Sequence, residues 1–454
     1  MSQEQDAPTA LPEALEKLAD RRLVKTGFDD VRTARRWLGF GELKGVELEP
    51  LLGQLEQTGS PDAAVRCLVR LIEAEPRAAA RLKDPQQAQT LIRLLGCSEA
   101  LGGFLESHPQ HLDLLDGPLD PEPEEISADE LRSSLLRSVG ADPEADTPVA
   151  QSVGDDGAAA LRVEYRRQLI RIALGDLGAA DPVEHLPAVG RQLADLAAAA
   201  IEAALAVSRA EIHAGSGSTQ ADPEELERIR LSVIGMGKCG ARELNYISDV
   251  DVVHVHDIVD PFGGEDGHEP IDDDRAAVLA TALASGTARA VMSNGPEAPL
   301  WELDANLRPE GKDGPLSRTL DSHVRYYRKW AKSWEFQALL KARPMAGDQE
   351  LGRRYSEAIS PMGGESSQRE GFVSSVQAMR RRVMDNIPSE ERDRQVKLGP
   401  GGLRDVEFTV QLLQLVHGRG DESVRTRATT DSLAALANAG YIGREDAEEF
   451  GAQY

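Results

Sequence analysis

Apolar residues recur every three or four positions over most of the chain, and that period predicts helices at 11–23, 29–38 and 63–80, each bounded by Gly or Pro. Two Ala/Leu-rich stretches, 158–174 and 189–210, read as longer helices. Between these groups lie two acidic, turn-rich segments, 117–130 (GPLDPEPEEISADE) and 140–157, that read as linkers. The period then changes. A short aliphatic run at 228–234, the alternating DVDVVHVH at 249–256 and a third alternating stretch at 299–307 predict strands, with an acidic Gly/Pro loop at 257–274 and a helix at 275–292 among them. Beyond these, 319–340 reads as one long amphipathic helix carrying Tyr326, Tyr327, Trp330 and Trp334, and helical period returns at 373–387, 404–417 and 430–439. Strands clustered between helical regions predict an α+β fold, predominantly helical, with a small mixed sheet. The expected division is an N-terminal helical region at 1–157, a catalytic domain at 158–345 and a C-terminal helical bundle at 346–454, cut short within helical pattern.

Charge narrows the function. Asp plus Glu number 77 against 51 Lys plus Arg, a formal net charge of −26 over 454 residues. A general nucleic-acid binder needs a basic face, so nucleic acid is not an expected partner, and any phosphate chemistry must use a local basic pocket or a metal. The three cysteines, Cys67, Cys97 and Cys239, are widely spaced with no CxxC, which supports neither a disulfide framework nor a Cys-rich zinc site. The polar, acidic first twenty residues lack an apolar core and no long apolar run occurs, so neither leader nor membrane span is expected and the cytoplasm is the default location.

The segment 233–256, VIGMGKCGARELNYISDVDVVHVH, carries the chemistry. Gly235, Gly237 and Gly240 spell GxGxxG after a strand, but the dinucleotide-binding version needs a helix of about ten or more residues before the next strand. Only 241–248 separates Gly240 from Asp249, which is too short. The competing pattern is a metal-dependent nucleotidyltransferase, a Gly-containing turn followed by Asp-x-Asp on a strand. Asp249 and Asp251 are two apart, so a strand places both carboxylates on one face, where they repel unless a cation lies between them. In LWELDANLR at 300–308, Glu302, Asp304, Asn306 and Arg308 share the face opposite the apolar Trp301, Leu303, Ala305 and Leu307. Beside the DxD strand, Asp304 would complete a carboxylate triad, with Arg308 further along for phosphate and Glu302 as the rival third ligand.

Four blocks in fixed order, GMGKCGARELNYISDVDVV, LDANLRPEGKDGPL, YYRKWAKSWEFQALLKARPMAGD and VKLGPGGLRDVEFTVQLLQL, together resemble the glutamine synthetase adenylyltransferase and adenylyl-removing enzyme family of the DNA polymerase β-like nucleotidyltransferase superfamily. The resemblance implies a polymerase β-like core. It further implies a longer parent enzyme with a second such half, one half removing AMP from a tyrosine of glutamine synthetase by phosphorolysis and the other adding AMP from ATP. One copy behind a long helical region corresponds to the removing half. By resemblance, Asp249, Asp251 and Asp304 are the catalytic carboxylates and the ligands of Mg²⁺, as one ion or two. Gly235, Gly237, Lys238 and Gly240 form the phosphate-approach turn, and Ser248, Arg308 and Arg404 join them in holding nucleotide or phosphate. The implied partners are adenylylated glutamine synthetase, inorganic phosphate and ADP, with a PII signal protein as a further candidate. Two positions depart from the family pattern: Cys239 stands where an aliphatic residue is usual and Asp405 where Glu is.

Other features have simpler readings. Lys341 and Arg343 either line the site or sit at a basic helix C-terminus. The four aromatics of 319–340 read as core rather than an adenine platform. Gly399, Pro400, Gly401 and Gly402 read as the turn before a helix starting near Arg404, and His254 and His256 as packed or hydrogen-bonded rather than metal ligands. The acidic loop 257–274 reads as a solvated insertion without calcium-binding spacing. Two other functions compete: a small-molecule nucleotidyltransferase, which would share the three carboxylates, and a non-catalytic module that docks glutamine synthetase or a PII protein.

Overall fold

Helix boundaries in the first part of the chain are set by capping side chains and prolines. The computed structural model describes residues 15–215, 219–259 and 271–454, apart from 369, 386, 389, 392 and 393. Most of the expected acidic loop and the start of the first expected helix lie outside the described residues. The chain divides into two units, Met1–Ile126 with Arg166–Val189, and Ser127–Tyr165 with Gly190–Tyr454. The first unit is built from α1 (Asp20–Thr26), α2 (Val31–Leu38), α3 (Leu48–Leu55), α4 (Pro61–Ala74), α5 (Pro85–Cys97) and α6 (Glu99–Ser107). Ser60 and Asp84 accept backbone N–H bonds at the starts of α4 and α5, each followed by a proline at the first helical position. Pro76 splits the helix expected at 63–80 into α4 and a 3₁₀ stretch, because proline cannot donate within a continuing helix. Leu52, Leu55, Leu68, Leu71, Leu94 and Leu95 are its buried centre.

The second unit opens with α7 (Ala128–Ser138), where Ser127 accepts from Glu130 N–H, so the first expected linker already ends in helix. Next along the chain come α8 (Gly154–Gly178), which belongs to the first unit from Arg166 on, and α9 (Pro182–His213), which belongs to the second unit from Gly190 on, followed by α10 (Pro223–Glu227), β1 (Ile229–Gly235), α11 (Gly237–Ala241), β2 (Val250–Ile258), α12 (Asp273–Met292), β3 (Leu303–Asp304) and β4 (Ser317–Thr319). The remaining elements are α13 (Leu320–Lys329), α14 (Ser333–Leu339), β5 (Arg343–Gly347), α15 (Gln349–Ser366), α16 (Phe372–Asp385), α17 (Leu403–His417), α18 (Thr429–Asn438) and α19 (Arg444–Gln453).

The mixed sheet has the order β3-β2-β1-β5, with β4 also on β2. β1 runs antiparallel to β2 and β5, whereas β3 and β4 pair with β2 in parallel. Alternation divides its residues between two cores. Ile229 and Leu231 pack with Leu279 and Leu283 of α12, while Ile234, Val253 and Val255 pack with Tyr327, Phe336 and Tyr355 beneath the later helices. An α+β, predominantly helical chain with a small mixed sheet is what the pattern predicted.

Three local expectations need correction. The strand at 299–307 shrinks to Leu303–Asp304, because the Asp304 carboxylate accepts from Asn306 N–H at 2.6 Å and turns the chain away. The helix at 319–340 is two helices. The Glu335 carboxylate accepts from Lys332 N–H at 2.9 Å and starts α14 afresh, and Trp330 at the break is 64% exposed, not core. The edge strand β5 was not expected, and what read as a basic helix end at Arg343 is its first residue. Among the described residues, no helix is long and apolar enough to cross a membrane, and Cys67, Cys97 and Cys239 are all free.

Candidate active site

The site is assembled at the start of β2. Asp249 immediately precedes the strand and Asp251 is its second residue, sharing by alternation the face of Val253 and Val255. Parallel pairing sets Val250 against Leu303 and Asp251 against Asp304, and Val250 N–H bonds the Glu302 carbonyl at 2.8 Å. Carboxylate oxygens of Asp249, Asp251 and Asp304 thereby come within 4.8 Å of one another. Glu302 is exposed and outside this group.

The turn from β1 into α11 closes against the carboxylates. Gly235 ends β1, and Met236 N–H donates to the Asp251 carbonyl at 2.8 Å. Gly237 has φ +52°, and a Cβ there would lie 2.5 Å from Asp251 Oδ2, so this position demands glycine twice over. A Cβ on Gly240 would meet the Lys341 carbonyl at 2.1 Å, so glycine lets α11 dock there. Cys239 is buried, and burial pushes its thiol up to about 12, which removes it from nucleophilic chemistry.

Burial first, and then the neighbouring Asp249 and Asp304, raise the Asp251 carboxyl to about 6, with Arg404 and Lys397 pulling the other way. Among the described residues no Lys or Arg forms an ion pair with any of the three acids. Three hard oxygen donors, mutually repelling and faced by the backbone of Gly237, fit a divalent cation.

The cationic side chains expected to hold phosphate are placed differently from one another. Arg404, on the first turn of α17, and Lys397 both act electrostatically on Asp251, and the backbone N–H of Arg404 bonds the Lys397 carbonyl at 3.0 Å. Lys238 lies 5.7 Å from the centre of the Tyr454 ring. Arg308 directs its guanidinium to the carbonyls of Ala305, Gly314 and Lys312, fixing the loop behind Asp304. The exposed Ser248 donates to the Asp249 carbonyl at 3.0 Å.

Comparison with known proteins gives the family of the chain. The profile of the glutamate-ammonia ligase adenylyltransferase family matches residues 88–358, which hold all three carboxylates. The chain belongs to that family. The GlnD PII-uridylyltransferase profile matches residues 377–454. Bifunctional glutamine synthetase adenylyltransferase/adenylyl-removing enzymes of Leifsonia xyli subsp. xyli and Streptomyces coelicolor are 48% and 46% identical over 97% and 95% of this chain, covering 42% and 40% of their own lengths. That of Bifidobacterium longum subsp. infantis is 41% identical over 95% of this chain and 39% of its own length. The chain thus spans about two fifths of the curated relatives it matches.

Several roles around the site escaped sequence reasoning. Lys397 sits in the GPGG-containing block but draws no notice as a single exposed lysine. Asp405 is a scaffold residue: its carboxylate accepts from Gly401 N–H at 2.7 Å and pairs with Arg380, which also donates to the carbonyls of Leu398 and Gly399 at 3.0 Å. Glu243, Lys341, Glu407 and Thr429 form a buried network. Lys341 Nζ lies 3.3 Å from Glu243, 3.4 Å from Glu407 and 3.2 Å from the Thr429 hydroxyl. No motif spacing flags it.

Proposed function

We propose that this chain removes AMP from an adenylylated tyrosine of glutamine synthetase by Mg²⁺-dependent phosphorolysis, as a cytoplasmic enzyme whose catalytic domain is 158–345. An oxygen of inorganic phosphate forms a bond to the α-phosphorus while the bond from that phosphorus to the tyrosine oxygen breaks. The electron pair stays on the phenolate, which then takes a proton, and the products are ADP and free tyrosine. The observation that carries this reading is the uncompensated carboxylate triad of Asp249, Asp251 and Asp304 beside the Gly237 turn.

In this proposal the three carboxylates hold the cation, which supplies polarisation of the phosphoryl oxygens when bound. Gly235, Gly237, Lys238 and Gly240 line the approach of the phosphates, and Arg404 with Lys397 balances the charge of the incoming anion. Arg308 keeps the loop of Asp304 in place, and Ser248 the entry to β2. A phenolate, ordinary pKa about 10, leaves without a covalent enzyme intermediate. The acceptor in this proposal is a protein rather than a small molecule, and the exposed Ile247, two residues before Asp249, lies on the surface it would cover. The relatives' shared name supports glutamine synthetase as that protein, and the profile match at 377–454 supports a PII protein as a regulatory partner.

The same name carries both directions, so the ATP-consuming reaction is the second reading. Incubation with AMP-modified glutamine synthetase, Mg²⁺ and phosphate should release ADP, and Asp249→Asn/Asp251→Asn should abolish that release. Pyrophosphate from ATP and unmodified glutamine synthetase would favour the second reading, and phosphate-dependent ADP release undiminished in the double variant would refute the first.

A further inference from the structure

The buried network of Lys341 reaches the site through one side chain. Glu407, on α17, is buried, and its two oxygens face different partners. Oε1 accepts from the Tyr454 hydroxyl at 2.9 Å and lies 3.4 Å from Lys341 Nζ. Oε2 lies 3.3 Å from Nη1 of Arg404, one turn earlier on the same helix. Lys341 is in turn anchored on Glu243, whose N–H bonds the Lys238 carbonyl at 2.9 Å and whose carboxylate accepts from Thr429 N–H at 2.5 Å. The turn that closes over Asp251 and the helix that carries Arg404 are therefore tied to one another through Lys341, which pairs with Glu243 and Glu407, and through the Glu407–Arg404 pair, with Lys238 acting electrostatically on both glutamates. Burying such a set is tolerable only when every member is paired.

We propose that Glu407 is a positioning residue for phosphoryl-anion binding: held on one side by Lys341 and Tyr454, it aims the guanidinium of Arg404 at the anion that enters beside the carboxylate triad. A half-buried guanidinium on the first turn of a helix otherwise samples several rotamers, so a fixed partner on one edge leaves the other edge preorganised for an oxyanion. The proposal deepens the phosphorolysis reading and rests on it for the identity of the anion, but not for the direction of transfer.

The test uses the whole chain, Mg²⁺ and ADP as probe, with affinity read by calorimetry and folding by thermal melting. Glu407→Gln and Arg404→Gln should each weaken ADP binding about tenfold, and the double variant no further, since both remove one interaction. Additive losses would overturn the proposal. Glu407→Gln leaves Lys341 with less compensation and lowers the melting temperature, so Lys341→Met/Glu407→Gln serves as a charge-neutral control. It should melt above Glu407→Gln yet still bind ADP weakly. Wild-type ADP affinity in that control would show that the network merely holds the fold and would also overturn the proposal. A wild-type chain that binds ADP but releases none from modified glutamine synthetase would defeat the phosphorolysis reading, leaving this inference to the binding cycle.

Discussion

Two clusters of charge in the second unit are treated in opposite ways. At the start of β2 three carboxylates gather within 4.8 Å with no cationic side chain bonded to them among the described residues. Behind the same turn, Lys341 pairs with Glu243 and Glu407, and Glu407 also pairs with Arg404. Burying charge costs several kcal/mol per ion unless a partner is present. The glutamates of the paired cluster therefore need no further cation. The unpaired one is stable only to the extent that solvent, or a bound cation, makes up the difference.

The sharpest way to break this contrast is to remove charge from each cluster. Lys341→Met leaves the buried Glu243 without its ion-pair partner and Glu407 with Arg404 alone, and unfolding free energy should fall by about 3–5 kcal/mol. Asp251→Asn removes repulsion instead, and stability should stay level or rise. Urea denaturation of both variants decides the matter, and equal destabilisation would mean that the clusters are not different in kind.

Activity should divide the acids of the unpaired cluster. Asp304→Asn is expected to lower turnover by about 10²–10³-fold, the range for losing one preorganised electrostatic contact to a transition state. Glu302→Gln, two residues earlier but exposed and outside the cluster, should stay within a few fold of wild type. Reversal of that order would move the third carboxylate to Glu302. Cation binding should then appear as stability, about 2.7 kcal/mol at a hundredfold excess over the dissociation constant. A melt with Mg²⁺ or after chelation measures it. Asp304→Asn should lose this gain while Lys341→Met keeps it on its lower baseline.

The two clusters also differ in how legible they were. Asp249 and Asp251 were found because the period of a strand turns a spacing of two into one face, and β1 and β2 are long enough for alternation to register. Asp304 was found through an alternation that the structure keeps for only two residues, so its carboxylate reaches the site because β3 pairs with β2 at that point and not because a long strand carries it there. The short strands β4 and β5 are below the length at which a period can be read. Of the balanced cluster only Lys341 and Arg404 drew a reading, and the pairing itself was not legible, since Lys341 is 98, 66 and 88 positions from Glu243, Glu407 and Thr429. Pairing over such separations is a property of the fold, and a single chain without its structure shows only four ordinary residues.

A third group of titratable side chains sits inside the unit by staying uncharged. His254 on β2 and His323 on α13 are buried, with His323 Nε2 at 3.4 Å from the His254 carbonyl, and His256 Nδ1 meets the Ser317 hydroxyl at 2.8 Å. Burial, the leading cause in both, pushes His254 down to about 4 and His323 down to about 3. The unfolded chain takes up protons at these residues near pH 6.5 and the folded chain does not, so stability is full above that pH and lost as pH falls toward the folded values. Each pH unit in that window should cost up to about 1.4 kcal/mol per histidine. Asp251 works against this loss: its carboxyl, raised to about 6, takes up a proton in the folded state before it does so in the unfolded one, and folding gains as pH drops. Urea midpoints between pH 7.5 and 5 should therefore decline, more steeply in Asp251→Asn and less steeply in His323→Phe. A decline that neither substitution alters would assign the acid sensitivity elsewhere and remove the histidines from the comparison.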